Sequence, residues 1–225
     1  MQHDMAGDTP LQGGTCRRCG TCCLKGGPAL HLADRERIES GRIPLNALVT
    51  IRQGEPVYDN VLGRLAAAPT DIIKIAAAGD RDRACRFFAQ DHCACTIYDD
   101  RPLECRALAC RDTAALEAIY CHERITRRDL IGAVPALWEL VRDHQARCGY
   151  ERVAELADRL KVDWRDSTAE DLLYLIRYDL GLRQGVCEHA PRNSAILHFL
   201  FGLPLSETIR RYGLRVVPGG RLLAG

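Results

Sequence analysis

Four cysteines lie within eight residues near the start of the chain, and their spacing constrains the fold more than any other feature. They are Cys16, Cys19, Cys22 and Cys23, and they include two overlapping pairs separated by two residues. Such a pair lets two sulfur atoms reach one metal ion at about 2.3 Å, with backbone amides as supporting donors. Three cysteines at this spacing are typical of the loops that bind four-iron clusters in ferredoxins, although the adjacent Cys23 departs from that pattern. The segment therefore predicts a loop that wraps a metal centre.

The overall composition favours metal binding over disulfide bonds as the use of the twelve cysteines. The 225 residues are 47% hydrophobic and 27% charged, which is ordinary for a globular protein with a core. We interpret residues 1–14 as a flexible leader without a secretion signal, and the longest apolar stretch, Ala195–Leu205, is too short to span a bilayer. We therefore predict a cytoplasmic protein with reduced thiols and no membrane partner. The net charge of +1 argues against a dedicated nucleic-acid partner.

A second group of five cysteines follows much later in the chain. Its members are Cys85, Cys93, Cys95, Cys105 and Cys110. Neither group can saturate several metal ions alone, so metal binding would tie two distant segments together and couple to folding. The sequence predicts one metal centre built from both groups, and it leaves any protein partner open.

The neighbours of these cysteines resemble those of a known family. Cys85 is followed by Arg-Phe-Phe, Cys95 is followed by Thr-Ile-Tyr, and Cys105 lies within the run Arg-Pro-Leu-Glu-Cys-Arg. With the first group, this order resembles the bacterial-type YkgJ cysteine-cluster proteins, the CxxCxxCC zinc- or iron-chelating domains, from about Cys16 to Cys110. The resemblance implies a metal-binding function. It implies the ligands Cys16, Cys19, Cys22, Cys23, Cys85, Cys95 and Cys105, to which we add Cys110 as a candidate eighth ligand.

Several other side chains stay open as contributors to the centre. Cys93, Cys148 and His92 are possible further ligands, whereas Cys121 and Cys187 are isolated and are best explained as small buried apolar residues. We expect Tyr98 to pack beside the site. We expect Arg101 and Arg106 to donate to thiolates or to pair with the nearby acids Asp99, Asp100 and Glu104.

The chain as a whole predicts a mainly α fold with an irregular, metal-stabilised cysteine-rich half and few short strands. We divide it into the leader, a cysteine-cluster region at residues 15–111 and a helical region at residues 112–225, packed together as one composite domain. Helices are expected at His31–Ser40, with Asp34–Arg37 on the polar face, at Asp71–Ala78 and from Pro102 onward. Strand-like segments are expected at Leu48–Arg52, Pro56–Tyr58, Arg86–Ala89 and Ala94–Tyr98.

The helical region should be divided at its prolines, glycines and polar turns. The expected breaks are Pro135, Gly149, Asp163–Ser167, Gly181–Gly185 and Pro191. A capping box is expected where Ser167 precedes Glu170.

Three functions are compatible with this sequence. The leading one is a metal-binding protein that holds zinc or iron, including an iron–sulfur or multinuclear centre, because thiolates select these metals and eight cysteines exceed one tetrahedral site. The second is a redox or protein-modifying enzyme that uses the centre. The third is a zinc-braced interaction module. No nucleophile elbow, P-loop or dinucleotide-binding motif is present in the sequence, so no catalytic residue can be named.

Overall fold

The structure is a computed structural model that describes residues 16–59, 61–79 and 82–225. The leader predicted at residues 1–14 lies outside these ranges. The described part is about half helical, which is consistent with the predicted mainly α fold, and its strands are short and antiparallel. The α-helices are Arg35–Glu39 (α1), Leu103–Ala107 (α2), Ala114–Ile119 (α3), Arg127–Ile131 (α4), Pro135–Arg147 (α5), Tyr150–Val162 (α6), Asp166–His189 (α7), Leu197–Phe201 (α8) and Leu205–Thr208 (α9). Within the described ranges, no helix has the length and apolar character that crossing a membrane requires.

The strands are short and pair two by two across the described ranges. They are Leu48–Ile51 (β1), Pro56–Asp59 (β2), Arg64–Ala67 (β3), Ile72–Ile75 (β4), Ala77–Gly79 (β5), Asp82–Cys85 (β6), Phe88–Ala89 (β7), Ala94–Cys95 (β8), Leu214–Val217 (β9) and Arg221–Ala224 (β10). The antiparallel pairs are β1 with β4, β2 with β3, β5 with β6, β7 with β8, and β9 with β10. The strands predicted at Leu48–Arg52 and Pro56–Tyr58 are confirmed as β1 and β2. Those predicted at Arg86–Ala89 and Ala94–Tyr98 are shorter than expected.

The helix predicted at Asp71–Ala78 is wrong, because this segment forms β4 and β5. Ile72, Ile73 and Ile75 are β-branched, which favours a pleated backbone. β4 pairs with β1 so that Ile73 faces Thr50, and both side chains are buried. The segment is too short for its hydrophobic periodicity to distinguish a helix from a strand. Pairing with the distant strand β1 therefore decides its conformation.

The longest helix, α7, runs without interruption from Asp166 to His189, so the break predicted at Gly181–Gly185 is wrong. A Cβ atom added at Gly181 or Gly185 would meet nothing within 4 Å, so both glycines face open space. Each glycine costs a helix about 1 kcal/mol relative to alanine. Burial of apolar side chains on α7, including Leu172 and Ile176, offsets that cost.

The other helix boundaries follow the sequence more closely. α5 begins at Pro135, Gly149 precedes α6, and a 3-10 turn begins at Pro191. The capping box predicted at Ser167 is wrong, because α7 already begins at Asp166 and no side chain caps its first turn.

The main hydrophobic core contains residues from both the cysteine-rich and the helical parts of the chain. Leu30 and Ile73 come from the first part, and Val141, Phe199 and Phe201 come from the second, all of them at most 1% exposed. Cys85 belongs to the same core, and Cys23 packs against it. A second core joins α6, α7 and α9 to the β9–β10 hairpin. The cysteine-rich segments are therefore anchored on the helical part by shared apolar packing.

Candidate metal centre

The first cysteine group lies on a tight loop that packs against β6 and β7. Cys23–Lys25 forms a single 3-10 turn, and the amide of Leu24 donates to the carbonyl of Gly20 at 2.9 Å. Gly20 has a φ of +75°, and a Cβ atom there would lie 2.5 Å from the ring tip of Phe88. Glycine is required at this position both by the backbone conformation and by the close ring.

The second cysteine group is distributed over two strands and a helix. Cys85 ends β6, Cys95 ends β8 opposite Phe88, and Cys105 lies in the middle of α2. Antiparallel pairing of β7 with β8 returns the chain toward β6, which brings Cys95 near Cys85. α2 begins directly after Pro102, as the sequence predicted.

Two acids, the buried Asp34 and the partly buried Glu104, fix the position of α2, and the sequence did not reveal their role. The carboxylate of Asp34 accepts hydrogen bonds from the amides of Leu103 (2.9 Å) and His31 (3.1 Å). The carboxylate of Glu104 accepts a bond from the amide of Ala29 (2.7 Å) and lies 3.5 Å from Nε2 of His31. Asp34 is fully buried, so its predicted place on a polar helix face is wrong. These contacts tie α2, and therefore Cys105, to a segment more than sixty residues earlier in the chain.

The cysteines of both groups line two adjoining cavities. The inner cavity, of about 110 Å³, includes Cys85, and the outer cavity, of about 50 Å³, includes Cys16, Cys19, Cys93 and Cys110. The two cavities share a wall. The cysteines of that wall are Cys22, Cys23, Cys95 and Cys105. All eight candidate ligands, and Cys93 as well, therefore border one continuous region.

Burial controls the protonation of the inner thiols. It raises the pKa of Cys23 to about 12, and neighbouring Cys22, Cys85 and Cys95 act in the same direction. It also raises the pKa of Cys105, again with help from surrounding cysteines. These thiols are therefore protonated at neutral pH, and ligation of a metal ion must displace their protons.

The pKa values of three further thiols are also shifted, those of Cys85, Cys95 and Cys19. Burial raises the pKa of Cys85 and of Cys95, and nearby Arg101 partly opposes the rise at Cys95. At the exposed edge, a hydrogen bond to the hydroxyl of Thr21 lowers the pKa of Cys19. The region thus grades from buried neutral thiols to an exposed, more acidic thiol.

Aromatic and basic side chains close one side of the outer cavity. The ring of Tyr98 lies between the guanidinium groups of Arg18 and Arg101, at 3.8 and 3.7 Å from its centroid. Nε of Arg101 donates to the carbonyl of Tyr98 at 2.8 Å. Glu104 is engaged by Ala29 and His31, as described above, and Nε of Arg106 is buried without a partner in the described structure. Of the contacts predicted for Arg101 and Arg106, the structure thus supports one, the position of the basic Arg101 side chain beside the thiols.

The remaining candidate ligands lie elsewhere. Cys148 is buried in the second core, where its thiol faces the carbonyl of Leu175 at 3.6 Å. His92 lies in an exposed 3-10 turn and lines neither cysteine cavity. Cys121 and Cys187 do not line them either, and Cys121 is exposed, so its predicted burial is wrong. The structure therefore separates these side chains from the cysteine region.

The donor chemistry of the region suits zinc or iron, since soft thiolates select these metals over hard cations. In the described ranges, no three histidine, cysteine, aspartate or glutamate side chains converge closely enough to hold a metal ion. The thiols surround the two cavities rather than meeting at one point.

Comparison with known proteins agrees with the cysteine spacing. Residues 15–122 match a family model, CxxCxxCC, described as "Putative zinc- or iron-chelating domain". Comparisons with curated proteins and with solved structures gave no match. The matched residues include both cysteine groups, the two acids that position α2 and the residues that line both cavities. Residues 15–122, just under half of the chain, therefore match the CxxCxxCC family of zinc- or iron-chelating domains.

Proposed function

We propose that this protein binds zinc or iron in one shared centre, with ligands from both cysteine groups. The wall common to the two cavities carries this proposal, because Cys22 and Cys23 come from the first group, whereas Cys95 and Cys105 come from the second. The family match supports the choice of metals. The ligands are Cys16, Cys19, Cys22, Cys23, Cys85, Cys95, Cys105 and Cys110.

The proposed centre contains more than one metal ion. A closed zinc site uses four protein ligands, and the two adjoining cavities offer more cysteines than one such site can use. Two zinc ions, a multinuclear iron centre or an iron–sulfur cluster all satisfy this donor set. The overlapping pairs in the first group favour iron, because closed zinc sites of four cysteines do not need such an arrangement.

Metal binding in this region is coupled to local folding. The thiols surround the cavities without converging, so ligation draws the first loop toward α2 and β8. Cys23 and Cys105 each release a proton when they bind metal, because burial keeps these two thiols neutral. Bound metal therefore stabilises the folded protein, because only the folded state brings the ligands of both segments together.

The experiment that tests the proposal is anaerobic purification of the untagged protein, followed by elemental analysis and an optical spectrum. Iron with acid-labile sulfide and broad visible absorbance supports a cluster, and about two zinc ions per chain in a colourless sample support a dinuclear zinc site. Protein that takes up neither metal after reconstitution contradicts the proposal. The variant Cys121→Ser is a matched control, since this exposed thiol lies outside both cavities and should leave metal content unchanged.

An enzyme that uses this centre is the second candidate. A separate cleft shares Glu104 and Leu116 with the inner cysteine cavity, and such a neighbouring space is what a substrate would need.

A further inference from the structure

Two basic side chains reach the same side of an irregular three-segment ladder. Ala29 pairs with Lys74 of β4, and His31 pairs with Arg124. Residues that face each other in antiparallel pairs lie on one side, and so do residues two apart along a strand. Lys74 and Arg124 therefore lie on the same side as His31. The residues between them, Leu30, Ile73 and Ile125, are fully buried in the core on the other side.

This side of the ladder forms the floor of a cleft of about 450 Å³. Its walls are mostly apolar, with Ile51, Val57, Ile72 and Leu116 among them, and Tyr58 and Tyr120 stand at its edge. A mainly apolar cleft of this size with a few polar groups is typical of sites for small molecules.

The acidic groups around the cleft already have donors. Glu104 accepts from the amide of Ala29 and lies beside His31, as described above. Glu117 accepts a bond from the hydroxyl of Thr113 at 2.6 Å. Asp59, which lies close to Arg124, accepts bonds from the amides of Val61 and Leu62, each at 2.9 Å.

The two basic groups are less completely paired. The ammonium of Lys74 has no hydrogen bond or ion pair within the described ranges. Burial lowers its pKa, while Glu104 partly opposes this effect. Nε of Arg124 is buried without a partner in the same part of the chain, and its guanidinium stacks on Tyr120 at 4.6 Å. A partly buried cation and a buried N–H group both cost free energy unless an acceptor is supplied.

We propose that this cleft binds a small organic carboxylate with an apolar body. The carboxylate accepts from Lys74 and Arg124, and the body lies against the apolar walls formed by Ile51, Val57 and Leu116. Binding at this site does not depend on the proposed metal centre. Because Glu104 and Leu116 border both spaces, the ligand nevertheless lies next to the cysteine region, where an enzyme would need its substrate.

The test uses sodium octanoate as the probe, titrated into the full-length, metal-reconstituted protein by calorimetry or NMR. We expect saturable binding of octanoate and binding of the uncharged octanamide weaker by about tenfold or more. Equal binding of the two compounds, or no saturable binding of octanoate, overturns the proposal. Inorganic phosphate that binds as tightly as octanoate overturns the part that assigns an apolar body.

Two variants localise the site. Lys74→Met removes the charge but keeps the length of the side chain, and it should weaken octanoate binding by about tenfold or more. Lys161→Met is the matched control, because Lys161 is an exposed lysine on α6 paired with Asp158, and it should bind octanoate as the parent does. Arg124→Gln provides a second test if Lys74→Met does not fold. Unchanged binding in a folded variant of Lys74 or Arg124 overturns the proposal, and metal content measured on the same samples reports separately on the cysteine centre.

Discussion

At the scale of single residues, Gly27 is the position where one added carbon should do most damage. A Cβ atom at Gly27 would lie 2.2 Å from the backbone carbonyl oxygen of Ile75, which cannot rotate away. We expect Gly27→Ala to push the first cysteine loop away from β4, to cost about 1–3 kcal/mol of folding free energy and to lower metal content. Urea unfolding and elemental analysis measure both effects.

Gly181→Ala is the control for that substitution. Its Cβ atom meets nothing within 4 Å, and alanine is the better helix former, so a gain of up to about 1 kcal/mol is expected. Equal stability of the two variants would show that the close approach of Gly27 to Ile75 is not required.

His144 makes the stability of the helical part depend on pH. Burial lowers the pKa of this fully buried histidine to about 4, although Asp179, 2.7 Å from its Nε2, opposes the shift. The charges of Arg52 and Arg183 act in the same direction as burial. The unfolded chain, with an ordinary histidine pKa of about 6.5, then binds more protons than the folded one between these values. Stability should therefore fall by about 3 kcal/mol as the pH drops from about 6.5 to 4.

The comparison with His144→Gln isolates this effect, since glutamine can still donate to Asp179. Urea unfolding at several pH values should show a steeper loss of stability toward acid in the parent protein than in the variant. Parallel curves for the two proteins would show that His144 is not kept neutral by the fold.

The sequence could predict the cysteines of the site but not the residues that position them. Cysteine spacing is a local signal, so both groups are visible without a structure. The roles of His31, Asp34 and Glu104 depend on hydrogen bonds between segments about seventy residues apart. The convergence of Lys74 and Arg124 likewise depends on strand pairings that span distant parts of the chain.

At the scale of secondary-structure elements, the ion pair of Arg127 with Asp71 joins α4 to the start of β4. Nε and Nη2 of Arg127 donate to the two carboxylate oxygens at 2.7 and 3.0 Å, and Nη1 donates to the carbonyl of Leu200 at 2.7 Å. The arginine side chain is only 3% exposed. We expect Arg127→Met to cost about 3–5 kcal/mol, because it leaves a partly buried carboxylate without its partner.

Arg147→Met is the control at this scale. Arg147 pairs with Asp143 on the exposed surface of α5, where such a pair contributes less than about 1 kcal/mol. Denaturant unfolding of both variants compares the two pairs directly. Similar losses would contradict the role of Arg127 in joining these elements.

Element type was predictable where a local signal dominates and not where pairing decides. Pro102, Pro135 and Gly149 mark helix starts in the sequence and in the structure. The segment Asp71–Ala78 carries no decisive periodicity, so its strand conformation depends on β1. α7 continues through Gly181 and Gly185 because burial of its apolar face stabilises the helix by more than the two glycines destabilise it.

At the scale of the whole molecule, the proposed centre joins parts of the chain that are otherwise connected through the apolar core. The core already packs Leu30 and Ile73 against Phe199 and Phe201. Metal binding therefore adds to a fold that has its own hydrophobic support rather than replacing it. Removal of the metal should loosen the first cysteine loop before it unfolds the helical part.

The measurement that tests the central claim most directly is metal content in Cys16→Ser, Cys105→Ser and the double variant, each reconstituted anaerobically beside the parent protein. Cys16 represents the first group and Cys105 the second. If both groups form one centre, each single substitution should remove about as much metal as the double substitution does, because the losses of residues acting together do not add. Losses that simply add, or full metal loading in either single variant, would show that the two groups bind metal independently and would contradict the account.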